Sequence, residues 1–193
     1  MADYLTVAAA DKLFSHCLSC LPWKQEAIRL FGKPVLQPRL QVWMGDAGAR
    51  YRYSGTWFSP EPWTAELHQL ARRLSEQVGA PLNSVLCNRY VDGEHSMGWH
   101  ADDEPELGPA PVIASVSLGA SRRFRLRQRK AWCTGHERRS MGLDLGHGDL
   151  LVMRGDTQRY WEHSLPKTRK RVGERINLTF RHVDPELVRG QLS

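Results

Sequence analysis

Arg175-Ile-Asn-Leu-Thr-Phe-Arg181 alternates polar and apolar side chains without a break. On an extended chain successive side chains point to opposite faces. Arg175, Asn177, Thr179 and Arg181 therefore share one face, and Ile176, Leu178 and Phe180 share the other. The pattern predicts a half-buried strand with both arginines on its polar face. By pattern alone, a surface strand reads the same way.

A second stretch gives that polar face a use. Trp99-His-Ala-Asp102 sets His100 and Asp102 two apart on an extended segment, so imidazole and carboxylate point the same way. With His163 from a strand far downstream they make a two-histidine, one-carboxylate facial site. Such a site leaves the opposite face of an octahedral iron open for a co-substrate and O₂. The H-x-D alone is a short motif, and a solvated loop histidine beside acidic residues 102–104 also fits it. The two arginines extend the iron reading, because a guanidinium pairs bidentately with the carboxylate of a dicarboxylate co-substrate and an ammonium does not.

On these residues the chain resembles the AlkB family of Fe(II)- and 2-oxoglutarate-dependent nucleic-acid dealkylases. The matching segments are Asn88-Arg-Tyr90, Trp99-His-Ala-Asp102-Asp103-Glu104, Ile113-Ala-Ser-Val-Ser-Leu-Gly119, Trp161-Glu-His163-Ser-Leu-Pro166 and Arg175–Arg181, in family order. The likeness is nearest to the branch that repairs duplex DNA. It implies iron ligation by His100, Asp102 and His163. It also implies 2-oxoglutarate binding by Asn88, Tyr90, Arg175, Asn177, Thr179 and Arg181. Arg175 and Tyr90 are expected on the distal carboxylate, Arg181 and Asn88 near the chelated end. The implied enzyme is a dioxygenase with Fe(II) as cofactor and 2-oxoglutarate and O₂ as co-substrates. It would demethylate 1-methyladenine and 3-methylcytosine in DNA, releasing formaldehyde, succinate and CO₂. An RNA demethylase of the same fold and a non-catalytic nucleic-acid-binding relative are the alternatives.

A paired base cannot reach a buried centre and must be flipped out of the stack. By resemblance, Tyr51 and Tyr53 contact the lesion, with Tyr53 stacking on the base against His100. Asp103 and Glu104 are placed to accept hydrogen bonds from a base amine, although solvated loop acids read the same way. Phe31, in Phe31-Gly-Lys33 ahead of Pro38-Arg39, resembles the wedge of the duplex branch, and Arg39 joins the expected DNA contacts. Pro34 departs from the aromatic expected after Lys33. Arg169, Lys170 and Arg171 resemble that branch's basic clamp on the opposite strand. Arg122, Arg123, Arg125 and Arg127 line a phosphate path or form an exposed strand face.

Composition bounds these readings. The 193 residues carry 27 Lys and Arg against 21 Asp and Glu, with a pI near 9.4, which suits a phosphate-rich partner. The first ten residues lack the pattern of a secretory signal, and no apolar run is long enough to span a membrane. The expectation is an intracellular monomer, cytoplasmic if bacterial and nuclear if eukaryotic. Cys17, Cys20, Cys87 and Cys133 read as reduced thiols.

Residues 8–31 read as helical, broken at Leu21-Pro22-Trp23, and 33–60 as strands and loops. Pro62 and Trp63 open an amphipathic helix with Leu67, Leu70, Leu74 and Val78 at helical spacing, stopped by Gly79. Strands are expected at 84–91, 111–119, 122–127, 149–153, 158–164 and 174–182. Asp92-Gly93 and Gly146-His-Gly148 read as turns. This is a mostly β chain with N-terminal helices (α+β), which suggests a double-sheet jelly roll; the resemblance implies a double-stranded β-helix. Residues 1–193 are expected to form a single domain, with 1–82 as N-terminal helices and nucleotide-recognition lid and 83–183 as the dioxygenase core.

Overall fold

The computed structural model describes residues 1–30, 33–53, 56–133 and 137–192, with backbone alone for 28–30, 51–53, 56–58 and 191–192. In chain order the elements are α1 (Val7–Cys20), the hairpin β1 (Ala27–Leu30) and β2 (Lys33–Leu36), and β3 (Leu40–Gly45). A second hairpin, β4 (Tyr51–Tyr53) and β5 (Thr56–Phe58), leads to α2 (Ala65–Val78), β6 (Ser84–Tyr90), β7 (Met97–His100), β8 (Ile113–Gly119) and β9 (Arg122–Gln128). Then come β10 (Ser140–Leu145), β11 (Leu150–Met153), the one-turn α3 (Thr157–Tyr160), β12 (Trp161–Leu165), β13 (Arg175–Arg181) and α4 (Pro185–Leu192).

Two antiparallel sheets form the jelly roll. The larger has the order β11-β8-β13-β6-β3 and the smaller β10-β9-β12-β7. The strand that decides the fold, β13, lies at the centre of the larger sheet. Ile176, Leu178 and Phe180 are fully buried and join Val85, Cys87, Val116 and Leu118 in a core with α1 and α2. The polar face is also buried, with Arg175 and Arg181 only 2% and 5% exposed. The expected half-buried strand is thus buried on both faces. Its polar face looks into a cleft shared with the smaller sheet.

Helix α2 follows its sequence signals. Thr64 Oγ1 accepts from Leu67 N–H at 3.3 Å, so the helix begins at Ala65 rather than at Pro62. Gly79 closes it at φ +68°, a left-handed conformation that suits glycine. Leu67, Leu70, Leu74 and Val78 are all buried, as their spacing predicts.

The helix expected to run to residue 31 stops at Cys20. Pro22 interrupts it, and the short remainder is too brief to sustain a helix by itself. Lys24 instead exchanges two backbone hydrogen bonds with Gln41 of β3, at 3.2 and 2.8 Å, and the chain folds into the β1–β2 hairpin. Strands β7 and β10 were not anticipated, since Gly98 and Gly142 interrupt their apolar patterns. The strand expected from residue 158 begins with α3 instead. Strand β3, from before residue 83, forms an edge of the larger sheet by pairing with β6. Among the described residues no helix is long and apolar enough to cross a membrane.

Leu74 is fully buried between α2 and the larger sheet. Leu74→Ala is expected to cost about 2–5 kcal/mol, the usual range for a truncation that leaves a core cavity. In urea unfolding the midpoint should fall with little change in slope. An unchanged midpoint would show that α2 does not share the main core.

Candidate metal and co-substrate site

The register of β13 assembles one wall of the cleft. Arg175 lies opposite Tyr90 and Asn177 opposite Asn88 on β6, while on β8 Asn177 faces Ser117 and Thr179 faces Ser115. Arg175, Asn177, Thr179, Arg181, Asn88 and Tyr90 therefore line a single cleft. All six residues that the resemblance assigns to 2-oxoglutarate come together there.

The facing wall carries the ligand triad. His100 ends β7 and pairs across the ladder with His163 of β12, their ring centroids 4.2 Å apart. Asp102 follows on a loop and is 2% exposed. One ligating atom from each of His100, Asp102 and His163 lies within 4.8 Å of the others. His100 Nδ1 is 2.9 Å from Gly98 O. A carbonyl only accepts, so Nδ1 carries a proton; Nε2 donates to Asp102 when the ring is charged and offers its lone pair to a metal when the ring is neutral. That Nε2 lies 3.5 Å from Asp102 Oδ1, and His163 Nε2 lies 3.9 Å from Asp102 Oδ2. Two imidazole nitrogens converging on a carboxylate make a donor set that fits a divalent iron.

Electrostatics prepare the same set. Burial opposes ionisation of Asp102, but Arg181 and the hydrogen bond from His100 outweigh it and hold the carboxyl well below its usual range. Arg181 Nη2 lies 2.9 Å from Asp102 Oδ2. Burial pushes His163 down to about 4 against the opposing pull of the Asp102 carboxylate, so its ring is neutral at pH 7. Burial also acts to lower His100, but its bond to Asp102 and that carboxylate's charge raise it above its ordinary value.

Arg175 is the other buried cation. Its Nη2 donates to Ser117 Oγ at 2.9 Å, and its guanidinium carbon lies 5.5 Å from the Tyr90 ring centre. Burial lowers it to about 10. Its Nε has no hydrogen-bond partner, and no carboxylate among the described residues is within ion-pair distance. A buried cation without a counterion is costly, and a carboxylate is the group that would satisfy it. Asn177 and Thr179 are used within the wall instead: Asn177 Nδ2 donates to Ser115 Oγ at 2.8 Å, and Thr179 Oγ1 donates to Asn177 Oδ1 at 2.9 Å.

The expected nucleic-acid contacts divide. Arg169, Lys170 and Arg171 are exposed on the loop between β12 and β13. Asp103 is exposed and tied to Arg129 at 2.6 Å, whereas Glu104 is partly buried with Oε2 unbonded. Tyr51 and Tyr53 fall on the β4 backbone, with their side chains outside the described residues, and Phe31 lies outside them altogether. Arg39 is not at the surface, being 4% exposed and bonded to Asn88 and Gln41.

The basic cluster on β9 is largely engaged by the protein itself. Arg122 is buried and donates to the carbonyls of Asp92, His95 and Pro166. Arg123 pairs with Asp144, Arg127 with Glu162, and Arg125 and Arg127 lie over the Trp99 ring.

Two residues that sequence reading missed support the triad. Phe124 stacks on His163, with centroids 5.3 Å apart. Gln158, 2% exposed, accepts from Asp102 N–H through Oε1 at 3.0 Å. Alternation along β9 gave a weak signal for Phe124; Gln158 sits in a one-turn helix with no periodic signal at all.

A profile of the 2OG-Fe(II) oxygenase superfamily matches residues 1–181. Alpha-ketoglutarate-dependent dioxygenase alkB homolog 3 of Rattus norvegicus is 40% identical over 189 residues, which cover 95% of this chain and 63% of that protein. DNA oxidative demethylase ALKBH2 of Homo sapiens is 43% identical over 181 residues, covering 91% of this chain and 69% of that protein. The chain thus spans less than two thirds of the rat relative's length. The solved structure of OsALKBH1 superposes with a TM-score of 0.57, covering 91% of this chain and 90% of that one; at 17% identity the likeness is one of fold.

Removing a ligand should separate two effects. His163→Ala should weaken Mn(II) binding, measured by calorimetry, by more than the roughly 10–100-fold typical when a group that merely supports a ligand is removed. Asp102→Ala should do the same and also lower the stability of the metal-free protein, by up to roughly 3–5 kcal/mol, because it breaks the buried pair with Arg181. Mn(II) affinity unchanged in both variants would place the metal elsewhere.

Proposed function

We propose that this chain, which belongs to the 2OG-Fe(II) oxygenase superfamily and to its AlkB branch, restores N-alkylated bases in DNA by oxidising the alkyl carbon. Bound Fe(II), with 2-oxoglutarate and O₂, supplies hydroxylation of that carbon as 2-oxoglutarate becomes succinate and CO₂, so that a methyl group leaves as formaldehyde. The reading is carried by one observation. A His-Asp-His triad and a buried arginine without a carboxylate partner among the described residues line the same cleft.

The chain's own residues divide the work. His100, Asp102 and His163 hold the metal, and Arg181 holds Asp102 in place. Arg175, with Ser117 and Tyr90 beside it, receives the distal carboxylate of 2-oxoglutarate. Leu86, Met97, Phe124, Met153 and Leu165 also line the cleft and keep it poor in water. Of the two acids after the triad, Glu104 is the better acceptor for a base amine, because Asp103 is already paired with Arg129.

DNA as substrate is supported by the relatives named DNA oxidative demethylase. Action on duplexes is supported by the exposed Arg169, Lys170 and Arg171 on the loop beside β12. Phe31 serves, in this reading, as the wedge that fills the gap left by the flipped base.

Mass spectrometry of 1-methyladenine and 3-methylcytosine in single-stranded DNA, duplex DNA and RNA, with Fe(II), 2-oxoglutarate and air, should show conversion in DNA. Conversion confined to RNA, or none at all, contradicts the reading. Alanine at Arg169, Lys170 and Arg171 should weaken duplex binding and flatten its salt dependence, by about 0.9 in log–log slope for each phosphate no longer neutralised. Phe31→Ala should slow duplex conversion about 10–100-fold, the equivalent of most of one aromatic–base stack, with little change on single strands. Equal losses on both substrates would assign Phe31 to the fold.

A further inference from the structure

Arg39 stands immediately before β3, and its guanidinium is buried beside the wall of the cleft, on the face that Asn88 and Gln41 share, rather than on the surface. Its Nε donates to Asn88 Oδ1 at 2.7 Å and its Nη2 to Gln41 Oε1 at 3.2 Å. Its backbone is held too: Arg39 N–H donates to Gln37 O at 2.8 Å, and Pro38 O accepts from Ser96 N–H at 2.9 Å. Both side-chain partners are neutral amides, and no carboxylate among the described residues is within ion-pair distance.

A guanidinium has donors only. An amide that meets it must present oxygen, so Arg39 removes the choice that a carboxamide otherwise has. Asn88 is forced to turn its NH₂ away from Arg39, and the residue lines the cleft with Tyr90, Arg175 and Asn177. The same bond places a positive charge beside a wall that already holds Arg175 and Arg181, the latter paired with Asp102.

We propose that Arg39 is a positioning residue for the dicarboxylate co-substrate: it locks Asn88 with its NH₂ donating into the cleft. The proposal rests on the reading of Arg175 as the anchor of 2-oxoglutarate. It gives Arg39 a role different from the phosphate contact expected from sequence, for which a buried guanidinium facing two amides is poorly placed.

The test uses the full chain loaded with Mn(II) and titrates 2-oxoglutarate by calorimetry. Arg39→Met should weaken binding roughly 10–100-fold, the scale of one hydrogen bond to a charged ligand. Arg39→Lys keeps the charge without the fork and should fall between wild type and Arg39→Met; it also serves if the methionine variant does not fold. In an Asn88→Ala background, Arg39→Met should add less than about threefold, since residues acting through one shared interaction are not additive. A merely structural role would lower thermal stability without that coupling. DNA affinity should keep its salt slope in Arg39→Met.

Wild-type 2-oxoglutarate affinity in the Arg39 variants that fold, with a salt slope for DNA lower by about one, would overturn the proposal and make Arg39 a phosphate contact. Arg175→Met separates this failure from that of the parent reading. If Arg175→Met also binds 2-oxoglutarate normally, the co-substrate site itself is misassigned. If only the Arg39 variants do, the error is confined to Arg39.

Discussion

The 2.9 Å ion pair between Arg181 and Asp102 ties the central strand of the larger sheet to the loop that leaves the edge of the smaller one. Both partners are nearly inaccessible to water. Two charges in such a place each lose hydration worth several kcal/mol, which only close pairing and further bonds can offset. The pair therefore fixes the separation of the two walls at one end of the cleft. It also keeps Asp102 ionised, the state that a metal ligand needs.

The rest of the site follows from holding that carboxylate still. Gln158 accepts the Asp102 backbone N–H through Oε1. The backbone carbonyl of Gln158 takes a bond from Arg129, which also holds Asp103. Gln158 lies on the single turn that leads directly into β12, the strand of His163. The loop carrying one ligand is thus strapped to the strand carrying another. Supporting groups of this kind orient ligands and tune their metal as much as the ligands themselves do. Arg181 and Arg175 stand at opposite ends of one strand, so β13 itself spaces the triad from the buried Arg175.

Much of this was legible in the sequence because two periodicities survive folding unchanged. Alternation along 175–181 assigned every side chain of β13 to the correct face, and the H-x-D spacing named ligands that do converge. What alternation could not show was whether the polar face met water or a second sheet. That depends on the facing sheet, whose edge strand β7 is interrupted in sequence by Gly98. Basic residues were misread for a related reason. Arg39 and Arg122 look like surface charge in a chain of pI near 9.4, but both are buried against oxygen acceptors brought in from distant segments. Composition reports the charge of a side chain and says nothing of the acceptors that allow its burial. Strand β1 at residues 27–30 escaped sequence reading, which pointed to helix there, because it is held by pairing with β2 and by the neighbouring bonds to the β3 region.

If the triad and Arg175 serve one reaction, oxidation of the co-substrate and repair of the base must proceed together. The most direct measurement is the yield of succinate and of restored base in the same reaction on methylated DNA, with Asp102→Ala in parallel. A shared site predicts equal yields that rise together and vanish together in the variant. Base restored without matching succinate, or undiminished repair by Asp102→Ala, would contradict it.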